Sequence, residues 1–170
     1  MACGILLVTH PGVGAAILAV ATALLRQLPL KAEAFEVPFD ADLEALLPQA
    51  SAALRRVDGG DGVLVLTDLY GASPSNLAGR LARLGTPVRR VSALSLPMLL
   101  RVMNYSEQGL DELPATAAGG GGGQGKPPRG PRQPPGVLVV APQTGPPPPK
   151  PPNSVPAVYM GGGGQDTELY

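Results

Sequence analysis

The chain has 170 residues, and its 13 basic residues balance its 13 acidic residues, so no net charge favours nucleic acid or an anionic membrane as a partner. Aromatic residues make up only 4% of the chain and Trp is absent, which argues against stacking on nucleic-acid bases. Because the sequence holds one cysteine, Cys3, and one histidine, His10, it excludes an intramolecular disulfide and a zinc site. We expect neither a metal nor a cofactor.

Neither a membrane-spanning segment nor a signal peptide is predicted. No apolar run reaches the length of about 18 residues that a membrane helix needs. The first apolar run, Gly4–Val8, also lacks the basic region that precedes the apolar part of a signal peptide. These features, together with the lone cysteine, fit the cytoplasm.

Strands and helices alternate along the first two thirds of the chain. Continuous apolar runs predict buried strands, and apolar residues at helical spacing predict amphipathic helices. Strands are predicted at residues 4–8, 32–37, 62–66 and 88–94. Helices are predicted at residues 14–27, 41–56, 74–84 and 96–104, with a short helical turn within residues 110–117. Pro48 lies inside the second helix and is expected to kink or divide it.

The segment after Ala117 differs in composition. It holds 13 of the 21 prolines and three runs of glycine or proline, so it cannot bury enough apolar surface to offset its chain entropy. We therefore expect a domain at residues 1–117 and a disordered tail at 118–170. Within the tail, Val137–Val140 is a candidate edge strand.

The alternation predicts a doubly wound α/β fold, because parallel strands need helical crossovers. The two most apolar strands, the first and the third, should be adjacent and central, and the amphipathic second strand should lie outside the first. The resulting order is 2-1-3-4, with a switch point between strands 1 and 3. Ligands bind at the carboxyl ends of the strands there, and this rule brings His10 next to Asp68.

His10 and Asp68 together could perform nucleophilic catalysis. One ring nitrogen of a neutral imidazole attacks a phosphoryl donor, while a carboxylate on the other ring N–H fixes the tautomer and stabilises the resulting cation. The alternative is an incidental loop histidine near a solvated aspartate, which the residue pattern alone favours.

A second candidate feature is the turn Gly71–Ala72–Ser73–Pro74, which leads into a helix. Backbone N–H groups at a helix N-terminus bind anions, and the Ser73 hydroxyl could add a donor. An ordinary helix start, with Ser73 as N-cap and Pro74 in the first turn, explains the same residues.

The segment Gly12–Ile17 superficially matches a dinucleotide-binding fingerprint, and Glu36 lies near the position of a ribose-binding acid. However, Ile17 replaces the third glycine, and His10 would crowd the pyrophosphate. A dinucleotide-binding fragment is therefore a weak alternative. A serine hydrolase is weaker still, because Ser73 lacks the nucleophile-elbow motif.

Three segments in this order and spacing resemble the IIA component of the mannose-type bacterial sugar phosphotransferase system. They are Leu7-Val8-Thr9-His10, the run from Gly62 through Thr67-Asp68 to Ser75-Asn76, and Leu96-Pro97-Met98-Leu99. The resemblance implies a flavodoxin-like sheet of order 2-1-3-4 and a homodimer whose subunits exchange an antiparallel C-terminal strand.

The resemblance also implies roles for individual residues. His10 would accept phosphate on Nε2 from the phosphocarrier protein HPr, and Asp68 would bond the other ring nitrogen. The candidate phosphate-binding residues are Thr9, Gly71, Ala72 and Ser73. The phosphate would pass to a IIB partner, with the membrane reached only through a transporter complex.

The chain departs from the family pattern at several points. Leu69 stands where a Thr or Ser is common, Tyr70 where Trp is common, and no IIB domain follows. Val137–Val140 could be the fifth strand after a long insertion, whereas a frame-shifted reading would also explain the tail. We therefore keep three hypotheses: a phosphoryl carrier acting in transport or regulation, a regulatory binding module without phosphotransfer, and a dinucleotide-binding fragment.

Overall fold

The computed structural model describes residues 2–119 and the backbone of residues 139–140. Its elements in chain order are β1 (Ala2–Thr9), α1 (Val13–Leu25), β2 (Ala32–Glu36), α2 (Leu43–Val57), β3 (Gly60–Thr67), α3 (Ser73–Leu81), β4 (Val88–Val91), α4 (Leu96–Asn104), α5 (Leu113–Ala117) and β5 (Val139–Val140). The predicted tail, residues 118–170, therefore lies outside the described residues, apart from residues 118–119 and the short strand β5.

The sheet has the order β2-β1-β3-β4-β5, and its first four strands are parallel. This confirms the predicted α/β fold and the order 2-1-3-4. The two central strands pair with Leu7 opposite Leu66 and Val8 opposite Thr67, so β1 and β3 end side by side. The switch point is therefore at their shared carboxyl edge.

Each face of the sheet carries its own apolar core, because successive residues of a strand point to opposite faces. Ile5 and Leu7 contribute to the core that includes α1, α4 and α5. Leu6 and Val8 contribute to the core that includes α2 and α3. All four side chains are fully buried. Burying each of them stabilises the fold by roughly 1.5–3 kcal/mol, so β1 is a firm base for the residue that follows it.

Several boundaries differ from the predictions. The helix α2 continues through Pro48 without being divided, since its second half packs four buried residues against the sheet. The strand β4 ends at Val91 instead of Leu94, because Ala93 has a left-handed φ of 65° and turns the chain. Beyond that turn, the Leu94 N–H donates to the carbonyl of Thr67 at 2.9 Å.

The start of α3 also differs. Ser73 is the first helical residue, and Ala72 occupies the N-cap position without a side-chain hydrogen bond. The predicted N-cap role of Ser73 is therefore wrong.

The fifth strand pairs with β4 in the antiparallel direction, with Val139 opposite Val91 and Val140 opposite Arg90. This agrees with the predicted edge strand at its last two residues. The pairing occurs within one chain. None of the described helices is both long and apolar enough to cross a bilayer.

Candidate functional site

The candidate site lies at the carboxyl edge of the two central strands. His10 follows β1 directly and Asp68 follows β3 directly. Because Val8 and Thr67 are paired, the two residues leave the sheet next to each other. The predicted proximity of the histidine and the aspartate is therefore confirmed.

Two hydrogen bonds join His10 to one carboxylate oxygen of Asp68. The Nδ1 atom of the ring lies 2.8 Å from Oδ2, and the backbone N–H of His10 donates to the same oxygen at 2.9 Å. The other oxygen, Oδ1, accepts the N–H of Leu69 at 2.9 Å. An ionised carboxylate can only accept hydrogen bonds, so this arrangement places the ring proton on Nδ1.

Nε2 is the ring nitrogen left for chemistry. It has no hydrogen-bond partner within residues 2–119, and in this tautomer it carries the lone pair. The side chains of His10 and Asp68 are 23% and 13% exposed, so the pair is shielded without being sealed from a second molecule. A partly buried imidazole oriented by a carboxylate has the geometry of an activated nucleophile.

Thr9 stabilises the backbone on both sides of the turn that holds His10. Its side chain is fully buried, and its hydroxyl donates to the carbonyl of His10 at 2.9 Å and accepts the N–H of Gly14 at 2.8 Å. This differs from the expectation that Thr9 binds phosphate, because a hydroxyl enclosed by backbone groups has no access to a ligand. Its role is to fix the turn between β1 and α1.

The turn at residues 71–73 presents backbone amides at the start of α3. Gly71 has a left-handed φ of 81°, which only glycine adopts at low cost. Within the described part of the chain, the N–H groups of Gly71, Ala72 and Ser73 have no hydrogen-bond acceptor. Pro74 has no N–H to offer, so the donors of this turn come from residues 71–73 and from Ser75. They suit an anion bound at the helix N-terminus.

Phe39 is a neighbour that the sequence pattern did not reveal. Its ring stacks on the imidazole of His10, with centroids 5.4 Å apart and an interplanar angle of 26°. The ring is nevertheless 80% exposed. Its signal in the sequence is an isolated aromatic residue in the polar loop after β2, at the same edge of the sheet as His10.

The other apolar side chains exposed near the pair follow Asp68 in sequence. Leu69 and Tyr70 are 60% and 57% exposed. Together with Phe39, they form an exposed apolar rim, and we use that name for these three residues. Exposed apolar side chains beside a reactive group are typical of a surface that receives another protein.

Glu36 argues against the dinucleotide alternative. Its carboxylate accepts the N–H of Ala15 at 3.3 Å, in the first turn of α1. A bound pyrophosphate would require the same helix N-terminus, and the carboxylate would repel it. As for metals, no group of three or more His, Cys, Asp or Glu residues within the described ranges could hold an ion.

Comparison with known proteins gives a consistent picture. The family model described as PTS system fructose IIA component matches residues 4–118, which is more than half of the chain. A mannose/sorbose-specific IIA subunit of the phosphotransferase system from Enterococcus faecalis has 26% sequence identity and a TM-score of 0.59. The match covers 69% of this chain and 87% of that one. No curated protein sequence matches significantly.

Two further solved structures share the fold at lower identity. The PTS IIA protein associated with the fucose utilization operon from Streptococcus pneumoniae has 24% identity and a TM-score of 0.53. The phosphotransferase system component EIIA from Streptococcus agalactiae has 18% identity and a TM-score of 0.60. Each match covers 69% of this chain and 91% of the other.

Proposed function

This chain belongs to the family of IIA components of the fructose- and mannose-type phosphotransferase systems, and on that premise we propose that His10 is a phosphoryl acceptor. The donor would be HPr, and the next acceptor a IIB component or a regulatory partner. The observation that carries the proposal is the 2.8 Å contact between Nδ1 of His10 and Oδ2 of Asp68, which leaves Nε2 for the reaction. Residues 1–117 would form the carrier domain.

The transfer step balances without a cofactor. The lone pair of Nε2 attacks the phosphorus of phosphohistidine on HPr, a new N–P bond forms, and the old N–P bond breaks with its electron pair returning to the donor imidazole. In the second transfer, the next acceptor attacks the phosphorus on His10, and the bond between Nε2 and phosphorus breaks with its electron pair returning to the His10 ring. Phosphoryl transfer needs little covalent assistance from the protein, so alignment and charge stabilisation supply most of the rate.

Asp68 contributes charge stabilisation. When Nε2 gains the phosphoryl group, positive charge develops on the ring, and the carboxylate at Nδ1 lowers its energy. Because Oδ2 also holds the backbone N–H of His10, the carboxylate orients the ring and the main chain together. The amides of residues 71–73 and the Ser73 hydroxyl are the groups that we propose for the phosphoryl oxygens.

The exposed apolar rim is the proposed contact for protein partners. Phe39 stacks on His10, and Leu69 and Tyr70 follow Asp68 directly in the chain. Burying these exposed side chains would help to exclude water from the transfer step. Aromatic residues such as Phe39 and Tyr70 are enriched at protein interfaces relative to the rest of the surface. We propose that the protein acts in the cytoplasm and meets the membrane only through a transporter complex. We also propose a homodimer in which an exchanged β5 replaces the pairing that β5 makes with β4 of its own chain.

The decisive experiment incubates the protein with enzyme I, HPr and phosphoenolpyruvate labelled in its phosphate. We expect one acid-labile, base-stable phosphoryl group per chain, added only when HPr is present. His10→Ala should abolish labelling, whereas Asp61→Asn, at the exposed amino-terminal end of β3, should label normally. Labelling that persists in His10→Ala would refute the assignment. Binding of HPr without any labelling would identify a regulatory module instead.

A further inference from the structure

A basic cavity adjoins the turn at residues 71–73, and its arginine residues have no part in the proposed transfer. It has a volume of about 760 Å³ and lies between α3 and β4. The turn that joins these elements lines it, and Tyr70 and Gly71 form one end. Its volume is within the range of small-molecule pockets, roughly 300–1,000 Å³. We call it the α3–β4 pocket.

Arginine side chains from two elements converge on this pocket. Arg80 belongs to α3, Arg83 follows its end, and Arg90 belongs to β4. Arg80 forms an ion pair with Glu44. By contrast, no carboxylate within residues 2–119 lies within 4.0 Å of Arg83 or Arg90. A fourth arginine of the lining, Arg89, is paired with Asp111. Arg83 and Arg90 are therefore the two arginines of the pocket that the described part of the chain does not neutralise.

A structural explanation covers only part of this cluster. Cations near a helix C-terminus are favoured by the helix dipole, which accounts for Arg80 and Arg83. Arg90 is different, because it comes from the sheet and is partly buried. Its neighbour on the same strand, Val88, packs into the core beneath α3. Arg90 shares that face of the sheet, since side chains two apart on a strand point the same way.

The helix α3 makes room for Arg90. A Cβ atom on Gly79 would lie only 3.0 Å from Nη1 of Arg90, so the guanidinium lies directly against the helix backbone. Desolvation lowers the pKa of Arg90; the nearby Tyr70 opposes this shift, and Arg83 adds to it. An unpaired guanidinium held in this way is partly stripped of water and is compensated best by an anion.

We propose that the α3–β4 pocket binds the phosphate group of a small molecule through Arg83 and Arg90, with Arg80 at its rim. A guanidinium presents a planar fork of N–H donors that matches phosphate oxygens. The remaining volume would accommodate the organic part of a phosphate monoester. Neither His10 nor Asp68 lines this pocket, which shares Gly71 with the proposed transfer site. Binding through Arg83 and Arg90 does not depend on the proposed phosphoryl transfer.

The test titrates the full chain by calorimetry with glucose 6-phosphate, inorganic phosphate and glucose at constant ionic strength. We expect saturable binding of at least one of the two phosphates and none of glucose. The tighter of the two phosphates then identifies the source, either a monoester or the free anion. In an NMR titration, the amide shifts should centre on Tyr70, Gly79 and Arg90.

Matched variants locate the binding. The double variant Arg83→Gln/Arg90→Gln should weaken phosphate binding about tenfold or more, because charge-assisted hydrogen bonds are lost. Arg55→Gln removes the same charge from an exposed position on α2 and should bind like the parent. Gly79→Leu keeps every charge but fills the wall beside Arg90, and it should also lose binding. If binding depended only on the positive potential of this surface, Gly79→Leu would bind phosphate like the parent. Loss of binding in this variant therefore indicates that the shape of the pocket matters.

Three outcomes would overturn the proposal. One is the absence of saturable binding by either phosphate. Another is undiminished binding by a folded Arg83→Gln/Arg90→Gln variant. The third is binding that survives in the double variant but disappears in His10→Ala, since that result would place the phosphate at the transfer site. The circular dichroism spectrum and thermal midpoint of each variant establish that it is folded.

Discussion

Replacing Asp68 with Asn tests the proposed mechanism most directly. The carboxylate accepts three N–H groups, two at Oδ2 from His10 and one at Oδ1 from Leu69. An amide has only one acceptor atom. If its oxygen remains at His10, its NH₂ group faces the N–H of Leu69. If it turns over, the NH₂ group faces Nδ1 and forces the ring proton onto Nε2, the nitrogen that must attack.

Either orientation of the Asn side chain should slow phosphoryl transfer to His10. The loss of a hydrogen bond to a charged group is worth about 1.5–3 kcal/mol. At about 1.4 kcal/mol per factor of ten, the transfer from phosphorylated HPr should slow by about 10- to 150-fold in Asp68→Asn. The assay is single-turnover transfer followed by rapid quench, with Asp61→Asn, at the opposite edge of the sheet, as a control for the lost charge. If a folded Asp68→Asn protein transfers phosphate as fast as the parent, the carboxylate does not assist the reaction.

Three further changes test the scaffold. Thr9→Val should lower the free energy of unfolding by about 1–3 kcal/mol, because the carbonyl of His10 and the N–H of Gly14 lose their partner. Thr22→Val, at an exposed position, should change it little, and thermal denaturation measures both variants. Cys3 should react slowly with a thiol reagent near pH 8 until the protein unfolds, since burial and two nearby carboxylates raise its pKa and keep the thiol protonated. Gly4→Ala places a Cβ atom 2.2 Å from the carbonyl oxygen of Val57 in α2 and should destabilise the fold by about 1–3 kcal/mol in urea denaturation. Gly109→Ala is the control, because the nearest atom to its Cβ lies 4.0 Å away, and it should leave the stability unchanged.

The strand order could be predicted from the sequence because it follows from the apolar content of each strand and from the helical crossovers between them. A strand buried on both faces consists almost entirely of apolar residues, and this composition identifies β1 and β3 as central. Placing two such strands together also brings the residues after them together. The approach of His10 to Asp68 is thus a consequence of the core.

Other parts of the site depend on contacts that the pattern does not encode. Phe39 lies in a loop, and its stacking on His10 follows from the path of the chain after β2 instead of from any periodicity. The side chain of Thr9 could have faced either the site or the protein interior. Its direction was decided by the approach of α1, which supplies the N–H of Gly14. The helix boundary at Ala72 likewise depends on the local dihedral angles of the turn.

The two glycines that resemble a dinucleotide fingerprint have a different explanation. Gly12 is the N-cap of α1 and has a left-handed φ of 82°, which lets the chain turn sharply after His10. Gly14 has a Cβ position only 2.8 Å from Oγ1 of Thr9, so any side chain there would break the bond between them. Both glycines therefore bring the start of α1 close to the end of β1.

That close approach explains how the site combines a rigid centre with an accessible edge. The carbonyl of Thr9 accepts the N–H of Val37, while its hydroxyl links α1 to His10, so three elements converge on one buried residue. His10 thus directly follows a strand in which seven of eight residues are buried. The exposed apolar rim, in contrast, lies on loops and can adapt to a partner. A group carrier that exchanges phosphate with different proteins requires both properties, since the reacting atom must be aligned each time while the surface around it changes partners.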